Sequence, residues 1–324
     1  MIRRILGSAR RLVFNTIDNP ALVLLYHRVT KLDWDPHFLA VSPQNFYEQV
    51  DYLRKYCTLL NIEEFYEILS QRKKFPRKAV IISFDDGYAD NYHEALPILE
   101  SLQSQAIFYI TTSNIDTNLE LYWDDLERIV VSKHILPPVI EIEYKNQSIR
   151  FDVSTPESRH QTYFSICKLL RFSPIPERKR VMEHLHNLTG VPLSGRPSHR
   201  LLTTSEIQAM NRSASAVIGA HTHNHPSLGV LPIELQFDEM ITSREILRKI
   251  TGNPVLHFSY PYGTKQDYNH DSLKVCHKLG FKMVCSNYYG QVHSWTDLLR
   301  VPRVLVRDWD RKQFAQYLAK YFRY

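Results

Sequence analysis

The sequence predicts an α/β fold: a parallel sheet closed into a distorted (β/α)7 barrel, with a largely helical insertion at the face that carries the chemistry. Three observations predict it. Seven short apolar runs, at about residues 21–28, 79–84, 106–112, 215–220, 255–260, 281–286 and 301–306, read as strands. Amphipathic stretches lie between most of them, at 44–56, 91–101, 232–250 and 267–279, and strands that alternate with helices form parallel βαβ units. Clusters of polar and titratable residues directly follow several of the runs, and in barrels of this kind reactive groups collect at the C-terminal ends of the strands.

Taken in order, the first run ends in Tyr26-His27-Arg28, where His27 is either a strand-end residue or an acid–base group. The second leads into Ser83-Phe84-Asp85-Asp86-Gly87. Adjacent side chains at a strand end point in different directions, so one carboxylate can bind a metal while the other moves a proton. The plain alternative is an Asp-Asp-Gly turn with both acids solvated. The fourth run leads into His221-Thr222-His223-Asn224-His225. In a single helical turn, residues four apart share one face, which would set His221 beside His225. Two histidines and one carboxylate, with positions left open, form a common catalytic zinc set. A lone histidine in a strand is usually a packed core residue; three in five residues after a strand are harder to read that way. The fifth run leads into Ser259-Tyr260-Pro261-Tyr262-Gly263, either a proline–glycine turn or a loop that lends aromatic walls and a backbone N–H to a ligand.

These segments, in this order, resemble the polysaccharide deacetylases of the NodB-homology type (carbohydrate esterase family 4). Ser83–Gly87 is similar to the family's first motif, His221–His225 to its second, His-Ser/Thr-x-x-His, and Ser259-Tyr260-Pro261-Tyr262 in part to its third, Arg-x-Pro-Tyr. The resemblance covers roughly residues 20–115 and 200–310. It implies a (β/α)7 barrel and a metal-dependent carbohydrate N-deacetylase, a hydrolase of an amide bond. It further implies that Asp85 is the general base, that Asp86, His221 and His225 hold the metal, and that the Tyr262 N–H stabilises an oxyanion. Two departures matter. The arginine that opens the third motif is Ser259 here, and the region 301–308 lacks the histidine that the family uses as general acid. Arg303 is the candidate to brace Asp85 in place of the missing arginine, and His27 is the candidate acid. Zinc is the expected ion for this donor set, with cobalt, nickel or iron as alternatives.

Residues 115–200 interrupt the strand–helix rhythm. They hold Tyr122-Trp123-Asp124-Asp125-Leu126, a helix expected to about 135, a β-like stretch at 139–151, and polar helices near 157–171 and 176–189. Arg171, Arg178, Lys179 and Arg180 cluster there. The segment reads as a solvated cap or as a substrate-selecting lid with Trp123 near a sugar.

The 324 residues carry 44% hydrophobic and 23% charged side chains, an ordinary globular balance. The net charge of +6 is spread widely and no basic-aromatic nucleic-acid motif accompanies it, so no nucleic-acid partner is expected. Cys57, Cys167, Cys276 and Cys285 form no C-x-x-C pair and read as free thiols of a reducing compartment. No apolar run is long enough to span a membrane, and no export signal is read at the N-terminus. Residues 1–18 form a separate basic segment ahead of the barrel at 19–324. Within 1–13, Arg3, Arg4, Arg10 and Arg11 flank apolar residues at helical spacing, a pattern that fits either peripheral contact with an anionic membrane or docking on the protein. The expected location is cytoplasmic, with peripheral contact at the inner membrane face. The expected partner is an N-acetylated saccharide, either a precursor or a lipid-linked glycan of surface polysaccharide synthesis. Two other classes stay open: a metal- and carbohydrate-binding homologue without catalysis, and a scaffold or membrane-docking subunit.

Overall fold

The structure, a computed structural model, describes residue 15, residues 17–132 and residues 136–322. The basic segment 1–13 therefore lies outside the described residues.

All seven predicted strands are present. They are β1 (Ala21–Tyr26), β2 (Ala79–Phe84), β3 (Ala106–Ile110), β4 (Ala216–Ala220), β5 (His257–Ser259), β6 (Met283–Cys285) and β7 (Val304–Leu305). Their order is β6-β5-β4-β3-β2-β1-β7, and every neighbouring pair is parallel. A further short strand, Thr58–Leu59, pairs with the start of β2.

The sheet curls until its ends meet. β7 pairs with β1 through Leu24↔Val304 and Leu25↔Leu305. On the other side, Ser286 N donates to Val301 O at 2.9 Å and Val301 N to Val284 O at 2.9 Å. The closure is thin because Pro302 has no N–H to give to a ladder. β1 and β2 are buried along their whole length, because both faces are covered. Alternate residues serve different layers. Val23, Ile81, Ile107, Tyr109 and Met283 join one apolar cluster. Leu24, Ile82, Phe84 and Phe108 join a second cluster with Phe46, Leu99 and Met240 from the surrounding helices.

β1 ends two residues before its apolar run does, and this shapes the functional face. β1 stops at Tyr26; His27 leaves the ladder, and Arg28–Val29 pairs instead with Ala40–Val41. Helices start where side chains cap them: Ser42 ahead of Pro43–Tyr56 and Asn269 ahead of His270–Leu279. The stretch expected as one helix from 91 opens as a π-turn, Asn91–Ala95, before the α-helix Leu96–Ser101. Pro97 sits at that junction and lacks the N–H that a continuous helix needs there.

Between β3 and β4 the chain builds the helix Tyr122–Val130, a hairpin of Val139–Tyr144 with Gln147–Asp152, and the helices Pro156–Arg171 and Ile175–Thr189. The β-like stretch is a hairpin because Lys145 and Asn146 turn at φ 50° and 61°, the hand that matches strand twist. These elements bury an apolar cluster of their own, including Leu126, Ile142, Ile166, Leu170 and Leu185, with Tyr88 and Leu201 as members outside the insertion. Among the described residues, no helix is long and apolar enough to cross a membrane.

Candidate active site

The two adjacent carboxylates at the end of β2 go to different partners because the backbone turns sharply between them. Asp85 N still donates to Tyr26 O at 3.1 Å, in line with the sheet. Asp86 and Gly87 then adopt φ 73° and 82°. The left-handed conformation costs a non-glycine residue roughly 1–2 kcal/mol. At Gly87 a Cβ would also come within 2.9 Å of the Ile110 side chain, so glycine is required there. Left-handed residues recur in the other two motifs, at Thr222 and His225 (φ 65° and 53°) and at Tyr262 (φ 58°). Such conformations cluster where surrounding packing holds a functional geometry in place.

Asp86 faces His221 and His225. Its Oδ1 lies 3.5 Å from His221 Nε2 and 3.3 Å from His225 Nε2, and all three residues are buried. One donor atom from each falls within 4.8 Å of the others. The two histidines do not share a helical turn, as their spacing predicts; they sit in an irregular loop after β4. The His225 N–H donates to Thr222 Oγ1 at 3.1 Å, and the left-handed Thr222 and His225 fold the loop back so that both rings meet Asp86. Glu239 receives the N–H groups of His223 and Asn224 at 3.0 and 2.7 Å and fixes the middle of the loop. His223 is outside the cluster, with Nδ1 2.9 Å from Thr112 Oγ1.

These residues fit a divalent metal. His221 Nδ1 lies 2.8 Å from the Ser259 carbonyl, which can only accept, so Nδ1 carries the proton and Nε2 keeps its lone pair toward Asp86. Burial disfavours the Asp86 charge, yet the His221 and His225 rings beside it hold its carboxyl well below the usual range. Burial lowers His225 to about 4 against the pull of Asp86, so the ring is neutral, as a ligand must be.

Asp85 belongs to Arg303. Nη1 donates to Oδ1 at 2.7 Å and Nη2 to Oδ2 at 2.5 Å, the paired geometry that suits a guanidinium and a carboxylate. Arg303 is fully buried and its other donors are also placed: Nε to Ser286 O at 2.8 Å and Nη2 to Ser259 Oγ at 2.7 Å. Ser259 Oγ also reaches Asp85 Oδ2 at 3.3 Å. The residue that stands where the family has arginine thus bridges the carboxylate and the arginine supplied from near β7. Burial opposes both charges; Arg303 and His221 outweigh it and hold the Asp85 carboxyl below its ordinary value.

Breaking this pair should be costly. Arg303→Met is expected to leave Asp85 buried and unpaired and to destabilise the fold by about 3–5 kcal/mol in urea denaturation. The pair's contribution should be full above the unfolded aspartate pKa of about 3.9, because the folded value is lower, and should be lost as pH falls through that folded value. An unchanged denaturation midpoint would show that the pair adds nothing net.

His27, Asp85, Asp86, His221, His225 and Tyr262 line one cavity of about 530 Å³, together with residues of the insertion that include Trp123, Lys168 and Arg171. His27 is 8% exposed, and its Nδ1 has no hydrogen-bond partner among the described residues. Burial lowers its pKa against the attraction of Asp86 and Asp85. Tyr262 packs its ring edge-on to His225 at 4.6 Å, and its hydroxyl meets that of Tyr122 at 2.9 Å. Its N–H donates to no backbone carbonyl among the described residues. Trp123 stands edge-on to His225 at 4.8 Å and donates its indole N–H to Tyr88 Oη at 2.9 Å. Tyr88 in turn donates to Asp124 at 2.6 Å, and burial pushes the Asp124 carboxyl up to about 7.

Sequence reasoning missed several of these parts. Tyr88 and Asp124 carry no spacing signal, and Ser259 reads as a loss until Arg303 is seen beside it. Arg178 appears in the sequence only as one charge of a cluster. In the structure its Nη1 holds the carbonyls of Asn224 and His225 at 3.2 and 3.1 Å, inside the second motif.

Comparisons with known proteins identify the family and the fold. The family model described as polysaccharide deacetylase matches residues 72–136 and 180–284, together just over half of the chain. The chain belongs to the polysaccharide deacetylase family. Poly-beta-1,6-N-acetyl-D-glucosamine N-deacetylases of Staphylococcus aureus strain MSSA476 and Staphylococcus epidermidis are each 31% identical to it, over 111 and 110 residues. Those matches take in 30% of this chain and span 38% of the length of each relative. The Streptococcus pyogenes deacetylase PplD in complex with acetate superposes with a TM-score of 0.61 at 18% identity, over 93% of this chain and 99% of that one. IcaB from Ammonifex degensii gives 0.60 at 19%, over 94% and 98%. At these identities the structural likeness is one of fold, and it supports the distorted barrel.

Proposed function

We propose that this chain is a metal-dependent N-deacetylase that hydrolyses an acetamido group of a saccharide. One observation carries the reading. In a single cavity, a carboxylate locked by arginine lies beside a separate Asp-His-His cluster. A protein that only bound sugar would have no use for a second buried carboxylate oriented next to the metal donors.

Asp86, His221 and His225 would hold the metal, with zinc the expected ion for two imidazoles and a carboxylate. When bound, it would supply Lewis acidity at the acetyl carbonyl and lower the pKa of a water. Asp85 takes the proton of the attacking water, and Arg303 and Ser259 keep its oxygens oriented. The Tyr262 N–H faces the developing oxyanion. Trp123 and the Tyr262 ring wall the sugar. His27 delivers a proton to the leaving nitrogen, and its lowered pKa makes the imidazolium a stronger acid than free imidazolium. Lys168, Phe164 and Phe172 also line the cavity. A cation beside apolar rings supports a saccharide joined to an anionic or apolar carrier, such as a nucleotide- or lipid-linked precursor.

The reading is tested by incubating metal-loaded protein with neutral N-acetylglucosamine oligomers, nucleotide sugars and lipid-linked saccharides. The expected result is acetate released in step with new free amine. No acetate from any of them would turn the reading toward a binding homologue. His27→Ala should keep its metal and lose about 10²-fold or more in turnover, the scale of a lost general acid. Turnover equal to the parent's would remove His27 from the mechanism.

A further inference from the structure

The carboxylate of Asp267, in the loop after β5, is fully buried and accepts five hydrogen bonds from three separate segments. Arg171, the last residue of the insertion helix Pro156–Arg171, donates Nε to Oδ1 at 3.0 Å and Nη2 to Oδ2 at 2.5 Å. Thr264, just past Tyr262, gives its N–H and its hydroxyl to Oδ2 at 3.0 and 2.5 Å. Ser227, just past His225, gives its hydroxyl to Oδ1 at 3.0 Å. The Asp267 carbonyl also accepts the Gly229 N–H at 2.8 Å. A Cβ at Gly229 would come within 2.6 Å of the Gln266 carbonyl oxygen, so the loops of the second and third motifs meet there backbone to backbone.

Arg171 does more than pair with this carboxylate. Its guanidinium lies 4.5 Å from the centre of the Tyr262 ring, and its Nη2 lies 3.3 Å from Thr264 Oγ1. Tyr262 has a left-handed backbone, φ 58°, which a tyrosine keeps only where its surroundings over-determine it. Its ring is held by Arg171, by the His225 ring at 4.6 Å and by the Tyr122 hydroxyl at 2.9 Å. The other side-chain donors to Asp267, from Ser227 and Thr264, are neutral, so removing Arg171 leaves a buried carboxylate without its counter-charge. The charge of Arg171 is in turn matched by Asp267, which leaves it little with which to draw in a substrate.

We propose that Arg171 and Asp267 are positioning residues of the active site: they clamp the insertion to the loops of the second and third motifs and so fix Tyr262, whose N–H faces the oxyanion. The clamp rests on these contacts alone; its kinetic consequence rests on the deacetylase reading. An oxyanion donor acts in the transition state far more than on the bound substrate, so a displaced Tyr262 lowers kcat and leaves KM in place. The insertion is then part of the catalytic frame as well as a cover over it.

Hydrogen exchange read on proteolytic fragments of the full chain tests the clamp, and kinetics on whichever saccharide the parent deacetylates, neutral ones first, test its consequence. In Arg171→Met, amide exchange within residues 225–229 and 260–267 should quicken by about tenfold or more while β1 and β2 exchange as in the parent. Its kcat should fall by about tenfold or more, with KM and metal content unchanged, because small displacements of an oxyanion donor cost at least that much. Arg171→Lys is the second variant. It keeps a cation for Asp267 and should fold as the parent does, but one ammonium cannot serve both carboxylate oxygens and lie flat on the ring, so kcat should still fall. The clamp is overturned if exchange in both segments matches the parent's in both variants. The positioning role is overturned if kcat stays at the parent's value in both, or if KM alone rises, which would make Arg171 a substrate contact. If the parent releases no acetate from any saccharide, the deacetylase reading falls, and exchange alone decides the clamp.

Discussion

Asp85→Asn is expected to keep the metal and to lose turnover by about 10²-fold or more, the scale for a missing general base. The carboxylate lies on the Arg303 side of the site, and Asp86 is the one whose Oδ1 falls between His221 and His225. The single amide oxygen of asparagine can still accept from Arg303 Nη2 and Ser259 Oγ, while its NH2 cannot accept the second Arg303 bond, so part of the local frame should survive. It cannot take a proton from water near neutral pH. The variant will also be less stable, because Arg303 is fully buried and would lose its counter-charge. Rates must therefore be compared well below the variant's melting temperature, with metal content measured on the same sample. Asp86→Asn should do the reverse and lose the metal first. Equal metal loss in the two variants would make both carboxylates ligands and remove the base.

His221→Ala should abolish metal binding and, with it, turnover. Three protein donors form the cluster, and removing one leaves an aspartate and one histidine. A metal that binds only the folded state stabilises it by about 2.7 kcal/mol at a hundredfold excess over its dissociation constant. The parent should therefore melt at a higher temperature with zinc than with a chelator, and His221→Ala should melt at one temperature in both. His223→Ala is the matched control, since its ring pairs with Thr112 outside the cluster. It should keep both the metal and the zinc-dependent shift. Retained metal in His221→Ala at the parent's affinity would dismantle the assignment.

The sequence alone determined the parts whose signal is local. The apolar runs have the length and composition of buried parallel strands, and all seven form. Paired acids, clustered histidines and a proline–glycine turn follow three of those runs, because a barrel places its strand ends together and leaves them open to solvent. The family was legible in the same residues.

What only the tertiary structure decided is how the distant parts meet. Arg303 and Asp85 are separated by 218 positions, and no periodicity links them; they touch because the segment ahead of β7 closes the ring beside β1 and β2. The histidine spacing predicts a helical face. The loop reaches a similar result through left-handed residues, whose conformation depends on packing around Thr222 and Glu239. The insertion reads from sequence as a charged, helical interruption. Its aromatic wall, its Tyr88–Asp124 support and the hold of Arg178 on the second motif come from side chains that meet only when its own core packs onto the barrel mouth. Local pattern specifies which residues are reactive. Long-range packing specifies which of them are oriented, charged and dry, because those properties depend on neighbours that the chain brings in from hundreds of residues away.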